Sequence, residues 1–271
     1  MNTKLQRLKV GIAGLGTIGK SLAMALDKGM PGLELHAVAV RDPAKSAQWR
    51  EMLINPPMIV DFDRLAECDI VVECAPASLM SDIATPVLQA GKKLVVLSSG
   101  ALLERPELLQ LAKDKAAQII VPTGALLGLD AVTAAAEGVI HSVKMVTRKP
   151  VRGLLGAPYL EKNNIKIDGI TAPTRIFSGT AREAAVGFPA NLNVAVALSL
   201  AGIGPDRTLL EIWADPSLER NTHTISVDAD SASFSMTIEN IPTDNPKTGR
   251  ITALSIISLL RKIGAPMRVG S

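Results

Sequence analysis

Three glycines near the N-terminus have the spacing of a diphosphate-binding turn. Gly14, Gly16 and Gly19 form a G-x-G-x-x-G pattern between an apolar segment, residues 9–13, and a helical pattern at residues 20–26. In such a turn the first glycine permits a tight bend, the second lets the backbone approach a pyrophosphate, and the third lets the helix pack against the strand. The N-terminus of that helix also attracts negative charge. The pattern predicts a dinucleotide site, and the alternative is an ordinary glycine-rich turn.

A second position bears on which dinucleotide is bound. Residues 33–40 form the second predicted strand, and Arg41 and Asp42 follow it. About 20 residues past the glycines, an acidic side chain typically binds the adenosine ribose, whereas an arginine accommodates a 2′-phosphate. Both types are present, so NAD and NADP both stay open as the cofactor. The alternative is that Asp42 caps a helix predicted at residues 44–52 and that Arg41 is solvated.

His223 is the histidine whose surroundings best suit proton transfer. The chain has three histidines, of which His36 and His141 lie in strand patterns and are expected to be structural. His223 ends a polar cluster, residues 219–223, that follows a turn. Imidazole has a pKa near neutrality, so His223 is predicted to transfer protons to or from a substrate whose carbon loses a hydride. The alternative is an exposed strand histidine.

The elements that position these groups alternate between strand and helix in the first half of the chain. Strands are predicted at residues 69–74, 93–97 and 118–122, and helices at residues 79–90, 106–117 and 131–137. Ligands of such sheets bind beyond the carboxyl ends of the strands, so the loops at residues 75–78, 98–101 and 123–130 are expected in one neighbourhood. The turns and loops of the first half supply the predicted dinucleotide contacts, which are Gly14, Gly16, Thr17, Ile18, Gly19, Arg41, Asp42, Ala75, Pro76, Ser99 and Gly100.

The pattern changes after Gly138 to a run of strands. These are predicted at residues 139–150, 174–180, 209–215, 221–227 and 232–239, with loop at 151–173 and a helix at 190–200. A run of strands after a run of βα units indicates a second domain of α+β type on a mixed or antiparallel sheet.

The fold class is therefore α/β, an N-terminal Rossmann dinucleotide-binding domain followed by a C-terminal α+β domain. We predict the first at residues 1–125 and the second, the catalytic domain, at residues 126–245. A last helix, about residues 247–263 within a segment at 246–271, is expected to return to the first domain. Its apolar face is predicted to comprise Ile251, Leu254, Ile257 and Leu260.

Composition excludes several classes of protein. The 271 residues are 47% hydrophobic, and the net charge of +3 is spread without a basic block, so no nucleic-acid partner is expected. Cys68 and Cys74 have no histidine cluster nearby, which predicts reduced thiols and no metal. No run approaches the roughly 18 apolar residues of a membrane span, and the first residues lack an apolar signal segment. We expect a cytoplasmic enzyme without a membrane partner.

Several motifs in a fixed order resemble those of the L-aspartate dehydrogenase family, and the similarity covers nearly the whole chain. The motifs are G-L-G-T-I-G at residues 14–19, T-G-A to L-D at 123–130, T-R-K-P at 147–150, F-P-A-N-L-N-V at 188–194, G-I-G to T at 202–208, and A-D-P to R-N-T-H at 214–223. The chain departs from the family pattern at Thr123, where serine is commoner, and at Leu126 and Leu127, where Ile-Gly is typical.

The resemblance implies an activity and roles for particular residues. It implies an NAD- or NADP-dependent homodimer that interconverts aspartate and iminosuccinate, or oxaloacetate plus ammonia. His223 matches the family's catalytic histidine, and Ala125 matches an alanine that contacts the cofactor. The family's cofactor-contacting asparagine matches Asn191 or Asn193, with Asn193 preferred.

A dicarboxylate substrate needs cationic and polar partners. Arg148, Lys149 and Arg220 are available, and Arg148 is attractive because a guanidinium can bind a carboxylate through two parallel hydrogen bonds. Surface arginines often have no specific role. Asn221 and Thr222 are candidates either to contact the substrate or to shape the end of the strand.

Two other functions compete with this one. The first is a related two-domain oxidoreductase, homoserine-dehydrogenase-like or dihydrodipicolinate-reductase-like, that acts on another substrate derived from aspartate. The second is a non-catalytic dinucleotide sensor, which would bind the cofactor without turnover. The polar cluster around His223 argues against the sensor.

Overall fold

The computed structural model describes residues 7–189, 192–242 and 249–270, with the side chain of Lys45 excepted. The chain divides into two compact units. Unit 1 consists of Met1–Pro122 and Ala253–Val269, and unit 2 consists of Thr123–Thr252 and the last two residues.

Unit 1 is built on a six-stranded sheet in the order β3-β2-β1-β4-β5-β6. The strands are β1 (Leu8–Ala13), β2 (Leu33–Ala39), β3 (Met58–Ile59), β4 (Ile70–Glu73), β5 (Lys93–Val96) and β6 (Gln118–Ile120). All neighbouring strands are parallel, and the strand order reverses between β1 and β4. This topology confirms the predicted Rossmann fold, in which ligands bind at the carboxyl ends of the strands near that reversal.

Helices cover both faces of this sheet because its strands are apolar on both sides. They are α1 (Thr17–Asp27), α2 (Pro43–Arg50), α3 (Met80–Gln89) and α4 (Pro106–Asp114). On one face Leu22 of α1 packs in a buried cluster with Ile12 of β1. On the other face Ile83 of α3 packs in a second cluster with Val71 and Leu94. The two clusters explain why these strands lack the hydrophobic alternation of a one-sided sheet.

The last helix, α9 (Arg250–Gly264), supplies side chains to the core of unit 1. Ile256 and Leu260 are fully buried in the cluster that contains Ile12. Ile251 and Leu254, by contrast, are 39% and 58% exposed, so the apolar face predicted for this helix is wrong at those two positions. Ile251 precedes the part of α9 that belongs to unit 1, which begins at Ala253, whereas Leu254 lies within that part but on an exposed side of the helix.

Unit 2 is built on a five-stranded sheet in the order β11-β10-β7-β9-β8. The strands are β7 (Ile140–Lys149), β8 (Thr174–Thr180), β9 (Thr208–Ala214), β10 (Asn221–Ala229) and β11 (Ser233–Asn240). The pair β7–β9 is parallel and the other pairs are antiparallel, which confirms the predicted mixed sheet. Met145, Leu210 and Ile225 lie on the buried face, whereas Lys144 and Glu211 lie on the opposite, polar face.

The helices of unit 2 are α5 (Leu129–Ala136), α6 (Pro158–Lys162), α7 (Ala181–Gly187) and α8 (Asn193–Ala201). The segment at 151–173, predicted as loop, contains α6 and a short 3-10 turn at Val151–Gly153. Helix α7 is not predicted either, although its capping box is visible in the sequence: Thr180 and Glu183 each bond the other's backbone N–H.

No helix of the described part of the chain is long and apolar enough to cross a membrane. Within the same residues, no group of three or more histidine, cysteine, aspartate or glutamate side chains is arranged to hold a metal ion.

Candidate active site

The glycine-rich turn joins β1 to α1 at the centre of the unit 1 sheet. Gly14 has a φ of +98°, and a Cβ atom there would lie 2.7 Å from the carbonyl oxygen of Cys74. A Cβ atom on Gly19 would collide with the carbonyl oxygen of Gly14. Both glycines are therefore required by the turn itself, as the motif predicts.

Gly16 differs from the other two glycines because the space beside it is open. A Cβ atom at Gly16 would have no atom of the described chain within 4 Å. Gly16 is also the N-cap of α1, where no described side chain caps the helix and the first turn has no acidic residue. Thr17 is exposed and Ile18 half-buried in that turn. An open backbone surface at the positive end of a helix fits the diphosphate of a dinucleotide.

After β2, Asp42 caps a helix, which is the alternative to a role in cofactor binding. Its Oδ1 accepts a hydrogen bond from the backbone N–H of Ala44 at 3.1 Å, at the start of α2. Arg41 is exposed. The carboxylate of Asp42 thus caps α2, which is the alternative to binding the ribose. The roles of Arg41 and Asp42 in choosing between NAD and NADP therefore stay predictions.

Glu73, at the end of β4, joins the two loops that follow β4 and β5. It is 1% exposed. Its Oε1 accepts hydrogen bonds from the backbone N–H of Ala75 and from Oγ of Ser98, each at 3.1 Å. Its Oε2 accepts from the backbone N–H groups of Leu97 at 3.0 Å and Ser98 at 2.8 Å. Burial raises the pKa of Glu73, and the bonds from Ser98, Leu97 and Ala75 oppose that rise.

The loops fixed by Glu73 carry four of the predicted dinucleotide contacts. Ala75 is half-buried and Pro76 exposed in the first loop, while Ser99 is buried and Gly100 half-buried in the second. The sequence patterns do not single out Glu73 itself. The signal that could have found it is a lone carboxylate at the end of an apolar strand, directly before a loop expected at the ligand.

In unit 2, His223 lies on the buried face of the sheet and not at an exposed strand position. It is 3% exposed, and its Nδ1 lies 3.1 Å from Oγ1 of Thr147, which is fully buried. The two residues face each other directly in the antiparallel pair β7–β10. Burial, followed by the charge of Lys149, lowers the pKa of His223 to about 3. The near-neutral pKa expected from the sequence is therefore wrong, because the ring is taken out of water beside a cation.

Strand alternation separates the predicted substrate contacts into two groups. Lys149 is 3% exposed and lies two residues beyond Thr147, hence on the face of His223. Asn221 shares that face because it lies two residues before His223. Arg148 and Thr222, which face each other in the register, lie on the opposite, polar face.

Arg148 is also engaged by neighbours on the polar face. Its guanidinium lies 4.8 Å from the ring centre of Trp213, and its Nη1 lies 3.6 Å from Oδ2 of the buried Asp215. The structure therefore does not bring Arg148 together with His223, and Lys149 is the cation beside the ring. Arg220 is exposed and precedes β10.

A small pocket open to solvent lies in unit 2 at the start of β10. It is lined by Pro150, Arg152, Gly153, Glu219, Asn221 and Pro242. Arg152 is an exposed cation that the sequence patterns do not single out. The T-R-K-P motif, which ends two residues before Arg152, is the signal in the sequence that points to it.

The residues implied only by the family resemblance have separate surroundings. The carbonyl of Ala125 accepts a hydrogen bond of 2.9 Å from Nδ2 of the buried Asn240. Asn193 is exposed at the start of α8. Asn191 lies outside the described residues. Phe188, at the start of the same motif, is fully buried and stacks on Tyr159 with the ring centres 5.2 Å apart.

Comparisons with known proteins agree with these motifs. A family model described as "Aspartate dehydrogenase, C-terminal" matches residues 130–263. A second model, "Homoserine dehydrogenase, NAD binding domain", matches residues 14–122. Among solved structures, aspartate dehydrogenase from Thermotoga maritima is similar in fold, with a TM-score of 0.76 and 24% identity, over 98% of this chain and 100% of that one.

Two relatives are more similar in sequence. The L-aspartate dehydrogenase of Bradyrhizobium diazoefficiens is 60% identical over 99% of this chain and 96% of its own length. The protein named L-aspartate dehydrogenase 3 from Bordetella bronchiseptica is also 60% identical, over 98% of each chain. The resemblance is confirmed, and the chain belongs to the aspartate dehydrogenase family.

Proposed function

We propose that this protein is an NAD- or NADP-dependent L-aspartate dehydrogenase, which reversibly deaminates aspartate to iminosuccinate, or oxaloacetate plus ammonia. The observation that carries the proposal is that this member of the family has both a turn for a dinucleotide and a histidine site for a substrate. Unit 1 has an open glycine turn for a diphosphate, and unit 2 has a buried, neutral imidazole beside a lysine.

The residues of unit 1 account for dinucleotide binding. The backbone at Gly16 and the N-terminus of α1 would hold the diphosphate. Glu73 would keep the loops of Ala75 and Ser99 in a fixed shape for the rest of the dinucleotide. When bound, the nicotinamide supplies the hydride acceptor or donor. Arg41 would favour a 2′-phosphate, and Asp42 a free ribose hydroxyl.

The residues of unit 2 account for a dicarboxylate substrate. Lys149 is the cation on the face of His223, and Asn221 offers an amide on that face. We assign one substrate carboxylate to Lys149, and Arg152 is a further cation near Asn221. His223 then acts at the α-carbon as a neutral imidazole, which hydrogen-bonds the oxygen that is gained or lost there.

The other parts of the proposal rest on the family and on composition. The resemblance implies a homodimer, which light scattering of the purified protein would test. Both cysteines are unpaired, and burial raises the pKa of each thiol, which suits a reducing cytoplasm. We propose no nucleic-acid or membrane partner.

Initial rates with oxaloacetate and ammonia, measured in parallel with NADH and NADPH, test the function. We expect consumption of reduced cofactor that requires both oxaloacetate and ammonia. A panel of other 2-oxo acids sets the substrate scope. Consumption that does not depend on ammonia would favour one of the related oxidoreductases instead. Tight cofactor binding with no turnover of any substrate would indicate the sensor.

Replacement of the imidazole tests its place in the reaction. His223→Ala should lower kcat by about 10² or more, with little change in the dissociation constant of the dinucleotide, because general acid–base and hydrogen-bond catalysis contribute on that order. His141→Ala is the matched control, since His141 is exposed on β7 of the same unit. Full activity of the His223 variant would contradict the assignment.

A further inference from the structure

Thr147 is the hydrogen-bond partner of His223, and its chemistry bears on which ring nitrogen carries the proton. Oγ1 of Thr147 lies 3.1 Å from Nδ1, and both side chains are buried. Across residues 7–189, 192–242 and 249–270, neither the hydroxyl nor the ring has another hydrogen-bond partner. Within this part of the chain, Oγ1 and Nδ1 therefore satisfy each other or remain unsatisfied.

Counting donors and acceptors distinguishes the two neutral forms of the ring. A threonine hydroxyl has one hydrogen to donate, and a neutral imidazole has one N–H donor and one acceptor nitrogen. If Nδ1–H donates to Oγ1, the hydroxyl hydrogen is left buried without an acceptor. If the hydroxyl donates to Nδ1, its hydrogen is satisfied and the ring proton is at Nε2. A buried donor without an acceptor is costly, which favours the second arrangement.

We propose that Thr147 is a positioning residue that donates its hydroxyl hydrogen to Nδ1 of His223 and so fixes the ring proton on Nε2. The role of this proton in catalysis rests on the proposed function, whereas the tautomer itself does not. The nitrogen left for a substrate is then a hydrogen-bond donor and not a general base. Thr147 acts on the reaction only through the ring.

The N–H donor at Nε2 suits one step of amination, the addition of ammonia to the carbonyl group. When ammonia adds to the 2-oxo acid, the new C–N bond forms while the π electrons of the carbonyl move onto its oxygen. The oxygen becomes negative and the nitrogen positive, so the addition is balanced without any further reactant. A hydrogen bond from Nε2–H stabilises the oxygen, and the proton stays on the ring. A neutral histidine that acts as an electrophile in this way is an established form of catalysis.

Nitrogen NMR of the whole protein tests the tautomer directly. Two-bond ¹H–¹⁵N correlation spectra of histidine-labelled protein show which ring nitrogen carries the proton. The chain has three histidines, and the signal of His223 is assigned by its loss in His223→Gln. We expect a protonated Nε2 and an unprotonated Nδ1 near neutral pH. A proton on Nδ1, or on both nitrogens, would overturn the proposal.

This readout separates the proposal from the proposed function. A protein that has the Nε2–H tautomer but shows no ammonia-dependent turnover would refute the proposed function and leave the tautomer standing. An active enzyme with its proton on Nδ1 would refute the tautomer alone. Both results are read on the wild-type protein, and His223→Gln serves only to identify the signal.

Variants of Thr147 test its positioning role. Thr147→Val keeps the size and removes the hydroxyl, so we expect kcat to fall about tenfold or more, with an unchanged KM for the dinucleotide. Thr147→Ser keeps the hydroxyl and should recover most of kcat and the wild-type NMR signal. Thr224→Val is the matched control, because the Thr224 hydroxyl pairs at 3.0 Å with Thr237 on the polar face. Wild-type kcat and an unchanged tautomer in Thr147→Val would overturn the role.

Discussion

Burial determines the charge of His223. The ring is 3% exposed, the hydroxyl of Thr147 is neutral, and the cation of Lys149 acts on the ring. Desolvation and a like charge both disfavour the imidazolium form. The group that acts on the substrate is therefore a neutral ring. Its effect on the reaction depends on which ring nitrogen donates a hydrogen bond and which accepts one.

The first prediction concerns the titration of this ring. Because the pKa of His223 is lowered to about 3, we expect its NMR signals to stay constant from about pH 8 to about pH 5. In the urea-unfolded chain the same ring should titrate near its ordinary pKa of 6.5. The unfolded chain then binds the proton more readily than the folded protein does. The free energy of unfolding therefore has its full value above pH 6.5 and falls as the pH is lowered from 6.5 toward 3. A midpoint near neutrality in the folded protein would contradict this.

Glu73 offers a second test at the scale of one residue. In Glu73→Gln one carboxylate oxygen becomes an amide nitrogen, which cannot accept the N–H and O–H groups that point at it. We expect a loss of roughly 1–3 kcal/mol in unfolding free energy, the usual cost of an unsatisfied buried polar group. The dinucleotide should also bind more weakly, because the loops of Ala75 and Ser98 lose their common anchor. Urea unfolding and titration with NADH measure the two effects.

The control for Glu73 is the same substitution at an exposed carboxylate of unit 1. Glu67 pairs with Arg64 at 2.9 Å on the surface, where solvent screens the interaction. Glu67→Gln should leave both the denaturant midpoint and NADH binding nearly unchanged. Equal behaviour of the two variants would show that the buried bonds of Glu73 do not hold the loops.

At the scale of the strand, register decides which candidate residues meet. The alternation of β7 and the polar cluster before His223 are both visible in the sequence. The pairing of His223 with Thr147 is not, because it depends on how two strands distant in the chain align. A shift of one residue would place Arg148 beside the ring in place of Thr147 and Lys149. The sequence therefore predicts the sheet and its candidates, but not the face on which each candidate lies.

Sequence motifs predict a structure well when all its contacts are local, and poorly when it depends on packing between distant segments. The glycine turn is predictable because all its requirements lie within a few neighbouring residues. The buried position of His223 depends on packing across the sheet, so a polar cluster in the sequence suggests exposure that the fold does not provide. Helix α7 shows the opposite case, because a local capping box marks its start although the helix is not predicted from the sequence.

The turn between β1 and α1 yields a paired prediction. Gly16→Ala should lower the unfolding free energy by no more than about 1 kcal/mol, because the methyl group meets no described atom within 4 Å and the remaining loss is that of replacing a glycine N-cap by the poorer alanine. It should nevertheless weaken NADH binding about tenfold or more, since the methyl group occupies the space assigned to the diphosphate. Calorimetric titration and thermal unfolding measure the two quantities.

Gly19→Ala is the comparison variant for Gly16→Ala, and we expect its main effect to be on stability. Its methyl group would meet the carbonyl oxygen of Gly14, so the backbone of the turn must shift and we expect a clear loss of stability, of order 1–3 kcal/mol. If Gly16→Ala binds NADH as the wild type does, the open space at Gly16 is not the diphosphate site.

At the scale of the whole molecule, the chain leaves unit 1 at Pro122 and re-enters it within α9. The composition of the last helix predicts an apolar face, but not where along the helix that face begins to be buried. Each unit contains one of the two tryptophans, Trp49 in unit 1 and Trp213 in unit 2. The unfolding of each unit can therefore be followed separately by fluorescence.

The last prediction uses this arrangement to measure what α9 contributes to unit 1. In a Trp213→Phe background, Trp49 fluorescence reports on unit 1, whose core contains both Trp49 and the fully buried Leu260. Leu260→Ala should lower the unfolding free energy of that unit by about 2–5 kcal/mol, the cost of a buried leucine truncation. Leu254→Ala, at a position 58% exposed on the same helix, should change it by about 0.5 kcal/mol or less. Equal urea midpoints for the two variants would mean that unit 1 is stable without the packing of its returning helix.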